Sequence, residues 1–335
     1  AVVQVLKEFK ARMDYGLTVG GQTALWCASH KGHRNIVKLL TSGPCSHGEF
    51  TYPALNRPRN SFPWEKWLET LANEAADDCT TALMAAARGG HGGVVEDLLA
   101  LYKKHDEVLK TALSAQDQKG DTALLHATRG PFLSRKEFAG VGFVIESILS
   151  HICSLEEGAD RPFADRVLNI QNAAGETALM QAARTMHDGE FAIFVFEQLT
   201  GSYALFTSFA KGVNLQNRVG QTALMLASEG ETGRRCPREG VACKKVQKLL
   251  DLGADAGINL QDDFGSTALM QASWHGHGKV VEVLLGKGAR IDLRPEHGCT
   301  ALMWGSLSGH REVVEVLVGK GAGIDLQDKD GHTAL

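Results

Sequence analysis

The chain has 335 residues, 35 basic and 39 acidic, for a formal charge of -4. That balance excludes a global pull toward nucleic acid or an anionic membrane. No apolar run approaches the roughly 18–20 residues of a membrane span; the best, Phe143 to Leu149, is short and carries Glu146.

In chain order, Val2-Val3-Gln4-Val5-Leu6 matches Val313-Val314-Glu315-Val316-Leu317 far downstream. Residues 1–20 are therefore expected to close an earlier repeat. Thr-Ala-Leu then recurs at Thr23, Thr81, Thr122, Thr177, Thr222, Thr267, Thr300 and Thr333, with spacings of 58, 41, 55, 45, 45, 33 and 33. Each threonine is placed to cap a helix, because its hydroxyl reaches free backbone N–H groups. After Thr300, Leu302, Gly305 and Ser306 share one helical face. Gly309 stands where that helix must stop, and Val313, Val314, Leu317 and Val318 recur at the spacing of a second helix with one buried side. Asp328-Lys329-Asp330-Gly331 has the chemistry of a tight turn. His33, His91, His277 and His310 occupy one repeat position, which marks them as scaffold.

The long spacings locate insertions. Between Thr23 and Thr81, Trp64, Trp67, Leu68 and Leu71 form the stripe of an amphipathic helix, expected to pack on the edge of the array. The third, fourth and fifth repeats insert residues between their two helices. The fifth insertion carries Arg234, Arg235, Arg238, Lys244 and Lys245, expected in a solvated loop. Its Cys236 and Cys243 are too far apart for a zinc pair. Seven cysteines, odd in number and scattered, make no disulfide framework. They suit a reducing compartment, so the expected location is intracellular and cytoplasmic.

These motifs resemble the ankyrin repeat, whose period is about 33 residues. Alanine replaces the proline of that family's Thr-Pro-Leu-His in every copy. The histidine position holds Trp26, Met84, Leu125, Met180, Met225, Met270 and Met303, so apolar packing is expected to replace its hydrogen bonds. Cys79 stands where the other repeats have glycine. The resemblance implies an all-α solenoid of paired antiparallel helices with β-hairpin-like loops. Its repeats are expected at 21–78, 79–119, 120–174, 175–219, 220–264, 265–297 and 298–330, with a further start at 331–335.

No phosphate loop, zinc-protease motif or nucleophile elbow occurs in the chain. No catalytic residue, cofactor or metal site is expected. In proteins similar to this, partners lie against the hairpin tips and the exposed face of the first helices. Seven residues after each threonine stand His30, Arg88, Arg129, Arg184, Glu229, Trp274 and Leu307. Four after stand Cys27, Ala85, His126, Gln181, Leu226, Gln271 and Trp304. Scaffold positions repeat their identity and these do not. Arginine and tryptophan are also enriched in interface hot spots. The expected partner-binding residues are Arg88, Arg129, Arg184, Phe264, Trp274, Trp304 and Leu307. The function implied is a non-catalytic scaffold for protein partners, without nucleic acid or membrane insertion. The alternative is a targeting or regulatory module of a larger enzyme, such as a ubiquitin ligase subunit or kinase. A sensor of RNA or a small anion, held by the arginines, is disfavoured by the missing stacking rings.

Overall fold

A computed structural model describes residues 22–41, 75–129, 138–155, 161–184, 195–199, 206–230, 239–295 and 297–334. The expected helix around Trp64 and the match at Val2 to Leu6 lie outside the described residues. The helices in order are α1 (Ala24–His30), α2 (Arg34–Thr41), α3 (Ala82–Arg88), α4 (Gly92–Tyr102), α5 (Asp106–Ser114), α6 (Ala123–Arg129), α7 (Phe138–Ser154), α8 (Arg161–Leu168), α9 (Ala178–Arg184), α10 (Phe206–Gly212), α11 (Ala223–Glu229), α12 (Glu239–Asp251), a 3-10 turn (Ala254–Gly257), α13 (Ala268–His275), α14 (Gly278–Gly286), α15 (Ala301–Leu307) and α16 (Arg311–Gly319). They form two compact units, Ala1–Phe163 and Ala164–Leu335. In the first, first helices stack in series (α1 on α3, α3 on α6), and second helices do the same (α2 on α4, α4 on α7). In the second, α9, α11, α13 and α15 form one series, with α12, α14 and α16 beside it.

The seven repeat threonines from Thr23 to Thr300 start their helices as the sequence requires. Each hydroxyl accepts from the backbone N–H three residues on, at 3.1–3.3 Å. The sulfurs of Met84 and Met303 reach back to accept the threonine N–H, at 3.5 and 3.4 Å. Methionine thus closes a weak capping box there in addition to packing, since thioether sulfur is a poor acceptor. The small residues after each threonine leave no gap between neighbouring first helices: Ala85, Ala86, Ala182, Ala227 and Ala272 are buried.

The loops are β-hairpin-like without named strands among the described residues. Asp117, Asn172, Asn217, Asp262 and Asp328 each use Oδ1 to accept two N–H groups, two and four residues on. That side-chain turn is why Asx residues recur at this position. Next to it, Gln171 and Gln216 donate to the carbonyls of Gln216 and Gln261, both at 2.9 Å, joining successive hairpins. Two residues before the capping threonine the backbone is left-handed: φ is +74° at Gly120, +77° at Gly265 and +62° at Cys79. Cys79 is the sole non-glycine residue at positive φ among the described residues.

Three features depart from the sequence reading. Repeats two and three carry a third helix each, α5 and α8, before the next hairpin, and α10 stands at the same place in repeat four. Val108, Leu109, Ala112 and Leu113 bury one side of α5. Lys244 and Lys245 belong to α12 and to no loop, and Lys245 is buried. Val318 is exposed and Val314 half-buried, although Val281, the equivalent of Val314, is fully buried. Among the described residues no further helix covers that flank of α16.

Candidate protein-binding surface

The seventh residue after each threonine ends the first helix or stands in its last turn. At three of these positions the carbonyl is committed to the fold. His91 Nε2 donates to the His30 carbonyl at 2.9 Å, His277 Nε2 to that of Glu229 at 3.2 Å, and His310 Nε2 to that of Trp274 at 3.0 Å. A carbonyl only accepts, so each ring must carry its proton on Nε2. In these three places the recurrent histidine ties a repeat to the one before.

The side chains at this position are free to differ, and they divide into two kinds. Arg129 pairs with the fully buried carboxylate of Asp121. Arg184 grips Glu176 with both amino groups, at 2.8 and 3.0 Å. Gln221 donates to Glu229 Oε1 at 2.8 Å. In each case the partner stands eight residues earlier, just before the capping threonine. Arg88 has Thr80 at that place, and makes no ion pair or hydrogen bond among the described residues. Arg88 and Arg129 lie in the first unit and Arg184 in the second. Burial pushes the Glu229 carboxyl above its ordinary value; Arg184 works against the shift and Asp262 with it.

The remaining four expected residues are in the second unit. The Trp274 and Trp304 rings meet edge to face, with centroids 4.8 Å apart, a favoured aromatic geometry. Trp274 is nonetheless 42% exposed, Leu307 72% and Phe264 68%. Phe264 stands at a hairpin tip, where its N–H donates to Asp262 Oδ1 at 3.0 Å. The repeat register puts it on the side of the exposed first-helix positions. Val219, at the equivalent tip one repeat earlier, is also exposed.

Two groups bring metal-ligating atoms together: Asp117, Asp121 and His126, and Asp328, Asp330 and His332. In the first, Asp117 already accepts from Lys119 N, Asp121 N and His126 Nε2, while Asp121 holds Arg129. Burial pushes the His126 pKa down, so the ring is a neutral donor to Asp117. In the second, Asp328 spends its oxygens on the Asp330 N–H and on the N–H and ring of His332. Both groups read as satisfied hairpin networks.

Helix pairs stacked in register behind side-chain-closed hairpins define a repeat protein whose identity lies on its variable surface. Comparison with known families agrees. A family model described as ankyrin repeats in three copies matches residues 238–330, and one described as the ankyrin repeat matches residues 20–47. The chain therefore carries ankyrin repeats at residues 20–47 and 238–330. Such repeats are generally protein–protein interaction modules and typically non-catalytic. No curated protein matches the chain. No helix among the described residues is long and apolar enough to cross a membrane.

Proposed function

We propose that the chain is a non-catalytic scaffold, and that its second unit holds a protein partner on the face carrying Phe264, Trp274, Trp304 and Leu307. One observation supports this most: large apolar side chains stand exposed at positions of the repeat that need none for packing. The same position holds arginine or glutamate in other repeats. Aromatic residues in such settings are the usual anchors of interfaces. In the first unit, Arg88 would meet an acidic group of a partner. Arg129 and Arg184, each committed to a carboxylate of its own repeat, would mainly order their hairpins.

Trp274→Ala and Leu307→Ala test this reading on a partner recovered by pull-down. Trp274→Ala is expected to speed dissociation and to weaken binding on the order of 2 kcal/mol or more. Helicity and melting temperature must be retained, since Trp274 also contacts Trp304. Equal affinity of parent and both variants would end the proposal.

A further inference from the structure

We infer that this face selects a segment carrying a lysine or arginine beside its apolar anchor, and that Glu229 reads the basic group. The inference rests on the docking reading above and goes on to name the chemistry of the partner.

The argument starts from charge. Arg184 is in direct contact with Glu176 and acts on Glu229 only through its charge. Glu176 occupies both amino groups of Arg184, at 2.8 and 3.0 Å. Glu229 is left with a neutral donor, Gln221 Nε2 at 2.8 Å. Asp262, also sensed by Glu229, adds to the negative side. His277 donates to the Glu229 backbone carbonyl. A carboxylate that is partly desolvated and, among the described residues, bonded only to a neutral donor gains from a charged donor brought to it.

Geometry supplies the second half. Glu229 ends α11, and Trp274 stands at the equivalent place on α13, which packs directly against α11. Packed helices lie roughly 8–10 Å apart, and an extended chain advances about 3.3–3.6 Å per residue. The basic residue therefore falls about two to three residues from the side chain that meets Trp274. Leu307, one repeat further, would take an apolar residue about as far on the other side.

The experiment uses the full chain and short labelled peptides on an alanine–serine background. Each peptide carries one tryptophan or leucine anchor, with lysine, alanine or glutamate at successive distances from it. Fluorescence anisotropy should show lysine binding about tenfold tighter than alanine at the second or third position, with glutamate weakest. Glu229→Gln keeps an acceptor for Gln221, so its fold should survive, and it should remove the lysine preference. Glu229→Lys should invert it toward glutamate. A lysine preference that persists unchanged in Glu229→Gln overturns the inference, as does the absence of any preference in the parent. If Trp274→Ala and Leu307→Ala abolish binding while Glu229→Gln changes nothing, docking stands and the assignment of Glu229 alone fails. If those two variants leave every peptide unaffected, or if no peptide binds, both readings fall.

Discussion

The fifth repeat and the two that follow it solve one problem with different residues. In the last two, His277 and His310 reach back to a carbonyl at the end of the preceding first helix. Counting back from the paired leucines Leu249-Leu250 and Leu284-Leu285 puts Ala242 in the place of His277. The ring is missing from the fifth repeat. Lys245, one turn further along α12, is buried and donates Nζ to the Ala183 carbonyl at 3.0 Å, near the end of α9. A helix C-terminus bears partial negative charge and unpaired carbonyls, so a cation suits it. The comparison teaches that the donor to that last turn is what the fold requires, while the residue and the element that supply it can change.

Removing each donor should break the comparison by unequal amounts. Lys245→Ala removes a buried donor from the Ala183 carbonyl and leaves a space where the stem lay, and should cost about 3 kcal/mol. His310→Ala opens a hydrogen bond that water can replace, and should cost about 1 kcal/mol. Urea unfolding of the two variants checks the order; an equal loss would show that burial of the Lys245 bond adds nothing to its cost. Gly276→Ala comes next. Its φ is +79°, and an added Cβ would lie 2.5 Å from His310 Nδ1. The expected cost is about 2 kcal/mol. In the His310→Ala background the steric part should vanish and the left-handed backbone part remain, which a double-mutant cycle reads directly. A smaller and opposite effect is expected at the second repeat. Cys79→Gly relieves a left-handed residue at φ +62° and should raise stability by about 1 kcal/mol, measured as a higher urea midpoint.

Periodicity carried the fold because its signals are local. Thr23 to Thr300 cap their own helices, and leucine and valine spacing marks the faces that those helices bury. Cys79 was equally legible, since one odd residue in an aligned column exposes the strain. Lys245 was not. A lysine beside Cys243 and Lys244 looks solvated until the neighbouring helix is seen to offer it a carbonyl. The apolar part of the candidate surface was visible as a column ending in Trp274 and Leu307. The commitments of Arg129 and Arg184 were hidden by reading that column alone. Their partners Asp121 and Glu176 occupy a different column, eight residues earlier. Reading the two columns together would have separated Arg88 from the other two arginines. Charge on a repeat surface is a property of pairs of positions, and an isolated ladder overstates it.

The smallest expected effect compares the third repeat with the fourth. Four residues after the threonine stand His126 and Gln181, and each donates to a carboxylate of its own hairpin: His126 to Asp117 at 3.0 Å, Gln181 to Glu176. The two are interchangeable near neutral pH, where His126 is neutral, and they separate in acid. Burial holds the folded His126 pKa below its ordinary value of 6.5, although Asp117 and Asp121 oppose the shift. Below 6.5 the unfolded chain therefore binds a proton that the folded chain refuses. Stability rises with pH wherever the unfolded state holds more protons. The contribution of His126 is thus complete above 6.5 and is lost as pH falls from there toward the folded pKa. The slope is at most about 1.4 kcal/mol per pH unit for one proton. Glu229 acts with the opposite sign, because burial raises its pKa, and His30 and His275 act with the same sign as His126. All three are unchanged in His126→Gln, so the difference between parent and variant isolates the one group. Unfolding free energies measured from pH 7.5 down to about 5 should converge at the neutral end. Below about 6.5 the variant should become progressively the more stable of the two. Parallel curves would show that His126 takes up its proton without cost in the folded chain, and that Asp117 outweighs burial.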